Sequence, residues 1–192
     1  MRVVVIGLGA FGFWFSKTLC ELGHEVIAID NDESLVDRYA DCVTRAVVGD
    51  ATDPVLIERV AGGQIDAAVV ATGEDLSTAI LAIMALRDLG VREIYAKAGS
   101  VNAARALERL DVTEAVFPER DAGSRLAHSI VSRAVLDYTP IAEGFSMQEI
   151  ALPESWLGRS LVELGPREKL KVQIVAVRDA LTGILTLPPD PL

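Results

Sequence analysis

The aliphatic run Val3–Ile6 leads directly into Gly7-Leu8-Gly9-Ala10-Phe11-Gly12. A G-x-G-x-x-G set between a strand and a helix leaves the chain few alternatives. Gly7 permits a tight turn, and Gly9 lets a pyrophosphate approach the backbone. Gly12 lets the helix pack close to the strand. The helix N-terminus then presents free N–H groups and partial positive charge to an anion. A second aliphatic run, Val26–Ile29, ends at Asp30, 18 residues after Gly12. An acid there can accept both ribose hydroxyls, and the combination is far more specific than the glycines alone. Asp30 followed by Asn31, with no arginine beside it, favours NAD or adenosine phosphates over a 2′-phosphorylated dinucleotide.

The pattern continues for some 139 residues. Further aliphatic runs lie at Ala46–Val48, Ala67–Ala71, Ile94–Ala96 and Ala115–Phe117. Helical segments separate them, near residues 33–40, 54–61, 75–88, 101–110 and 121–137. In the first helix the stripe Phe11, Trp14, Phe15, Thr18, Leu19 and Leu22 is expected to face the core. Near-continuous aliphatic strands indicate burial on both faces, as in a parallel sheet. Strand and helix alternating six times predicts an α/β fold, a Rossmann-like doubly wound parallel sheet. Gly23, Gly90 and Gly62-Gly63 stand where helices should stop.

After Pro140 the order changes. Alternation at 145–151, a short helix at 159–164 and strands at 172–177 and 184–187 predict a small, partial α+β C-terminal lobe. The expected domains are therefore 1–139 and 140–192. Three strands make a marginal sheet alone. The lobe, ending in Leu187-Pro188-Pro189-Asp190-Pro191-Leu192, is expected to pair with another copy or to be shortened at its C-terminus.

More residues at strand ends are candidate ligand contacts. Asp50 could meet an adenine amino group or simply cap a turn. Thr72-Gly73 could line the phosphate and ribose. Lys97 could contact phosphate or ribose, or be solvated. The 28 acidic against 18 basic residues give a net charge of −10, which excludes a nucleic-acid footprint. No apolar run approaches the ~18 residues of a membrane span; the longest, Ala79–Leu86, is far shorter. No signal peptide is read at the N-terminus. Cys20 and Cys42 form no disulfide framework or metal spacing and suit a reducing cytosol. His24 and His128 read as structural, and no Tyr-x-x-x-Lys pair or nucleophile motif occurs.

The ordered series Val-Ile-Gly-Leu-Gly-Ala-Phe-Gly, His-Glu-Val-Ile-Ala-Ile-Asp, Gly-Asp-Ala-Thr-Asp, Val-Ala-Thr-Gly-Glu-Asp, Tyr-Ala-Lys-Ala and Phe-Pro-Glu-Arg-Asp-Ala-Gly resembles the RCK domain (regulator of K⁺ conductance). More narrowly, it resembles the Trk/Ktr-type potassium-uptake regulators. The resemblance implies a non-enzymatic, cytoplasmic subunit, peripheral to the inner membrane through a potassium channel or transporter on a separate chain. It implies a homodimer assembling into an octameric ring, with NAD(H) or ADP/ATP as ligand. Carried over by position, Gly7, Leu8, Gly9, Ala10 and Phe11 hold phosphates and Asp30 the ribose. Asp50 and Ala51 border the adenine, with Thr72, Gly73 and Lys97 completing the pocket. Glu119 matches a position that in some relatives serves a cation site; otherwise it is an acid suited to a helix start. Members that respond to ATP often carry arginine where this chain has Ala10, which places an ATP clamp in doubt. Some members bind cyclic di-AMP in the C-terminal lobe, where Arg167 and Gln173 match in part. The family joins protomers through the helix at 121–137, here with Leu126, Ile130, Val131 and Val135 as an apolar face. The alternative from another class is a small NAD(P)-dependent oxidoreductase with a site formed on dimerisation. A DNA regulator is disfavoured by charge.

Overall fold

A computed structural model describes residues 1–61, 63–73, 75–131, 134–142, 144–187 and 189. The predicted turn residue Gly62, loop residue Glu74, and most of the Pro-rich tail lie outside them.

Strands β1 (Arg2–Ile6), β2 (Glu25–Asp30), β3 (Arg45–Val48), β4 (Ala67–Val70), β5 (Glu93–Lys97) and β6 (Glu114–Val116) form one parallel sheet, ordered β3-β2-β1-β4-β5-β6. Between them run α1 (Ala10–Glu21), α2 (Glu33–Tyr39), α3 (Pro54–Ala61), α4 (Leu76–Asp88) and α5 (Val101–Glu108), and α6 (Pro118–Val131) follows β6. The order reverses between β1 and β4, which opens a crevice at their carboxyl ends. The two-residue period of a strand divides the core. Val4 and Ile6 pack on one face with Ile57, Ile83, Leu86 and Leu107 from α3, α4 and α5. Val3 and Val5 pack on the other with Phe11, Phe15 and Leu19 of α1. The doubly wound Rossmann-like sheet is as the sequence predicts.

The stripe expected on α1 holds in part: Phe11, Phe15 and Leu19 pack against the core, but Thr18 is exposed. Trp14 is 61% exposed and Leu22 is exposed too, whereas Gly12 and Ser16 are fully buried. The helix is turned so that Gly12 and Ser16 lie deepest, with Phe11, Phe15 and Leu19 partly buried beside them and Trp14 outside. Gly12 is the cause, since its missing side chain lets the α1 backbone reach the β1 turn.

By packing, the chain divides into residues 1–122 and 123–192. The second unit holds a hairpin of β7 (Val135–Ala142) and β8 (Phe145–Ile150). It also holds α7 (Leu161–Leu164), α8 (Pro166–Lys169) and the two-residue strands β9 (Val177–Arg178) and β10 (Leu185–Thr186), which pair antiparallel. A capping box of Ser160 and Glu163 starts α7, and Gly165 at φ +56° ends it. Two expectations are corrected here. The last helix of the sheet unit ends at Val131 among the described residues, and Val135 opens a strand instead of extending the helix's apolar face. From Val135 to Thr139 the side chains are β-branched, aromatic or alternating, which suits a strand better than a helix. The strands expected at 172–177 and 184–187 are only two residues each. No helix among the described residues is long and apolar enough to cross a membrane.

Candidate functional site

The glycines of the first turn divide by what the fold requires of them. A Cβ on Gly7 would lie 2.5 Å from the Ala71 carbonyl oxygen, and φ there is +95°. A Cβ on Gly12 would lie 1.9 Å from the Gly7 carbonyl oxygen. Both are needed by the chain itself. Gly9 is different: φ is −59°, and a Cβ would meet nothing within 4 Å. The space above it is open at the start of α1. Helices α2, α4 and α5 begin with side-chain caps from Asp32, Asp75 and Ser100. Helix α1 begins at Gly9 with no side-chain cap and no acid in its first turn. Its first N–H groups are left for an external acceptor.

Asp30, at the end of β2, faces this turn. Its Oδ2 accepts the Leu8 N–H at 2.5 Å and its Oδ1 accepts the Asp32 N–H at 2.9 Å. The carboxylate is thereby fixed, while its remaining lone pairs can still accept ribose hydroxyls. The Leu8 side chain is buried in the core, and the Phe11 side chain is partly buried against it. Ala10 and Asn31 are exposed. The Gly49 N–H donates to the Asp30 carbonyl at 2.9 Å and so joins the end of β3 to the same edge.

Asp50 caps a turn. Its Oδ1 accepts from the Thr52 N–H at 2.8 Å and the Thr52 hydroxyl at 2.7 Å, which holds its pKa below the ordinary value. The methyl of Ala51 is buried in the core, so it can border a base only through its backbone. Thr72 donates its hydroxyl to the Asp75 carbonyl at 3.1 Å, and Gly73 takes φ +70° in the turn that starts α4.

Lys97 is neither solvated nor free. Its Nζ lies 2.7 Å from Glu119 Oε1, with the lysine side chain 15% exposed and the glutamate 60%. The hydrogen bond from Lys97 lowers the Glu119 pKa. Two candidates assigned to different roles are thus each other's partner. Among the described residues no group of three metal-ligating side chains occurs, and one carboxylate held by an ammonium does not fit a cation site. Lys97 and Gly73 share a cavity of about 280 Å³ with Gly99, Ser100 and the apolar Leu76 and Ala103. Gly99 and Ser100 were not singled out from the sequence, although a Gly-Ser pair after a strand is a signal for a helix cap. A larger depression, about 1070 Å³, opens at the amino ends of the strands. Among its lining residues Glu58, Asp66 and Glu93 outnumber Arg92 and the amino-terminal Met1, so it is not a cradle for an anion. In the second unit, Arg167 donates to Gln173 through Nε at 2.9 Å and also through Nη2. His128 stacks on Tyr138.

The model of the TrkA-N domain matches residues 3–118. Ktr system potassium uptake protein C of Bacillus subtilis is 39% identical over 174 residues, covering 91% of this chain and 79% of that protein. Among solved structures, the GsuK channel bound to NAD aligns with a TM-score of 0.64 at 16% identity, covering 96% of this chain and 34% of that one. The Kef C-terminal domain of Shewanella denitrificans in its AMP-bound form aligns with a TM-score of 0.57 at 20% identity, covering 69% and 82%. The two structural likenesses speak to the fold.

Proposed function

The chain belongs to the TrkA-N domain family, and from that premise we propose that it is a nucleotide-sensing regulatory subunit of a potassium-uptake system. Its named relatives are potassium-uptake proteins and not enzymes, which answers the oxidoreductase alternative. The observation that carries the nucleotide reading is the uncapped start of α1 at Gly9, with open space above it and Asp30 fixed beside it. The N–H groups of α1 bind the phosphates, and Asp30 accepts the ribose hydroxyls.

The ligand is an adenine nucleotide, NAD(H) or ADP/ATP. The bound NAD and AMP of the two structural neighbours share the adenosine phosphate that this reading needs. Ala10 supplies no cation for a terminal phosphate, so ATP gains no specific clamp. The partner is a membrane potassium channel or transporter on a separate chain, at the cytoplasmic face of the inner membrane. Homodimers assemble into a ring, and the nucleotide acts by binding one ring conformation better than another.

Calorimetry against NAD, NADH, ADP and ATP tests the reading. At least one should bind, and Asp30→Ala should weaken it by about 1–3 kcal/mol, the loss of charge-assisted acceptors to the ribose. Unchanged affinity in Asp30→Ala would remove the acid from the ribose.

A further inference from the structure

We propose that ionic strength selects which nucleotide the site holds, through the negative field of the carboxylates around it. The inference rests on the nucleotide reading above and adds how that site is regulated. The loops that leave β2, β3 and β4, with the first turns they enter, carry Asp30, Asp32, Glu33, Asp50, Asp53 and Asp75. Those loops, and the glycine turn itself, contain no lysine or arginine. The basic residues Arg38, Arg59 and Arg87 stand in the last turns of α2, α3 and α4, at the far end of each helix. Further along the edge, Lys97 and Arg120 are already paired with Glu119 and Asp121. Adjacent strands lie about 4.8 Å apart. In the order β3-β2-β1-β4, the ends of β2 and β4 therefore stand about 5 Å from the β1 turn, and that of β3 about 10 Å. Direct contacts agree, since Asp30 accepts from the Leu8 N–H and Gly7 abuts Ala71. Most of these acids are committed to their own loops. Asp32, Asp50, Asp53 and Asp75 accept the N–H groups of Ser34, Thr52, Val55 and Thr78. They surround the site as fixed charges, held there for a structural reason.

A phosphate at the start of α1 is thus bound by N–H dipoles inside a field of its own sign. The dipole contacts are short-ranged and resist salt. The field acts over a Debye length, about 30 Å at 0.01 M salt and about 8 Å at 0.15 M. Its penalty scales with the charge of the ligand. That charge is about one net negative in NAD⁺, about two in NADH, about three in ADP and about four in ATP. Low salt therefore favours NAD⁺, and rising salt relieves the polyphosphates most. A phosphate site lined by lysine and arginine responds the other way and loses affinity as salt rises. For a regulator of potassium uptake, the screening salt is that of the ion whose entry is controlled. Ionic strength is then an input to the sensor.

The test is calorimetry on the full chain with NAD⁺, NADH, ADP and ATP, without divalent cations, between about 0.01 and 0.15 M potassium chloride. Affinity should rise with salt, by about threefold or more for each negative charge on the ligand across that range. Tetramethylammonium chloride should act as potassium chloride does, because only screening is needed. Glu33→Gln combined with Asp53→Asn removes charge from the field and leaves a capping oxygen on α3. That variant should bind ADP and ATP several-fold tighter at the lowest salt and come close to the natural chain at the highest. Glu58→Gln combined with Glu108→Gln removes as much charge from the opposite end of the helices and should change little. Self-association, which salt also alters, would move every nucleotide alike. Affinity that falls with salt, an equal gain for NAD⁺ and ATP, or an equal effect of the two paired variants overturns the proposal. So does a gain with potassium that tetramethylammonium does not reproduce, which would assign the effect to a bound ion. If no nucleotide binds at any salt concentration, the nucleotide reading itself fails.

Discussion

Gly9 and Gly12 lie one helical turn apart and answer to different demands. Gly12→Ala would drive a Cβ to 1.9 Å from a backbone carbonyl oxygen, so α1 must move off the sheet. Its expected cost is about 3 kcal/mol or more, at the severe end of overpacking. Gly9→Ala meets open space at an ordinary φ and should stay within about 1 kcal/mol of the natural stability. It should nevertheless abolish measurable nucleotide binding, because the methyl stands where the phosphate approaches. Thermal unfolding and calorimetry on the two variants separate these roles; normal nucleotide affinity in Gly9→Ala would show that the turn does not hold the phosphate. The motif and Asp30 were legible in the sequence because turn, helix start and strand end are local. The pairing of Lys97 with Glu119 was not, since it joins side chains 22 residues apart that no local spacing relates.

At the scale of elements, periodicity located the six strands and the helices between them but misjudged orientation. The α1 stripe placed Phe11, Phe15 and Leu19 against the core, yet the deepest line is that of the small residues Gly12 and Ser16, which leaves Trp14 and Leu22 exposed. Likewise α6 and β7 merged in the sequence, because Val135 continues a helical spacing while also opening an alternating run. Helix starts were more legible, and Asp75 allows a test. Its side chain accepts from the Thr78 N–H at 3.0 Å and hydroxyl at 2.7 Å, and these bonds lower its pKa from 3.8. A lowered folded-state pKa means that the cap's contribution is complete above the unfolded value. It is lost as pH falls through the lower, folded value. Asp75→Asn keeps a capping oxygen but cannot titrate. Thermal unfolding should therefore show Asp75→Ala melting lower at neutral pH and Asp75→Asn melting close to the natural chain. The advantage of the natural chain over Asp75→Ala should shrink only below about pH 4. A constant difference down to pH 2 would show that ionisation of the cap contributes nothing.

The whole molecule is uneven in how it buries its apolar residues. The first unit has a two-faced core, whereas among the described residues of 123–192 Leu164 is the one buried hydrophobic side chain. On the hairpin, Leu136, Ile141, Met147 and Phe145 are exposed, Phe145 by 73%. A small unit with so little covered apolar surface lacks the burial that offsets its chain entropy. We expect the segment 123–192, produced alone, to show no cooperative unfolding transition by circular dichroism. The homodimer proposed above would cover these side chains, while the net charge of −10 on each copy opposes association. The two forces respond oppositely to salt. Screening weakens charge repulsion and leaves apolar attraction intact, so light scattering should give a mass above 20.6 kDa that rises between about 0.05 and 0.5 M salt. Replacing Ile141 and Phe145 with serine should return the mass to that of one chain. It should leave nucleotide binding to the unassociated chain unchanged, because the glycine turn and Asp30 belong to the first unit. A monomer at every salt concentration would contradict self-association through this hairpin. A mass that falls with salt would assign the contact to ion pairs instead.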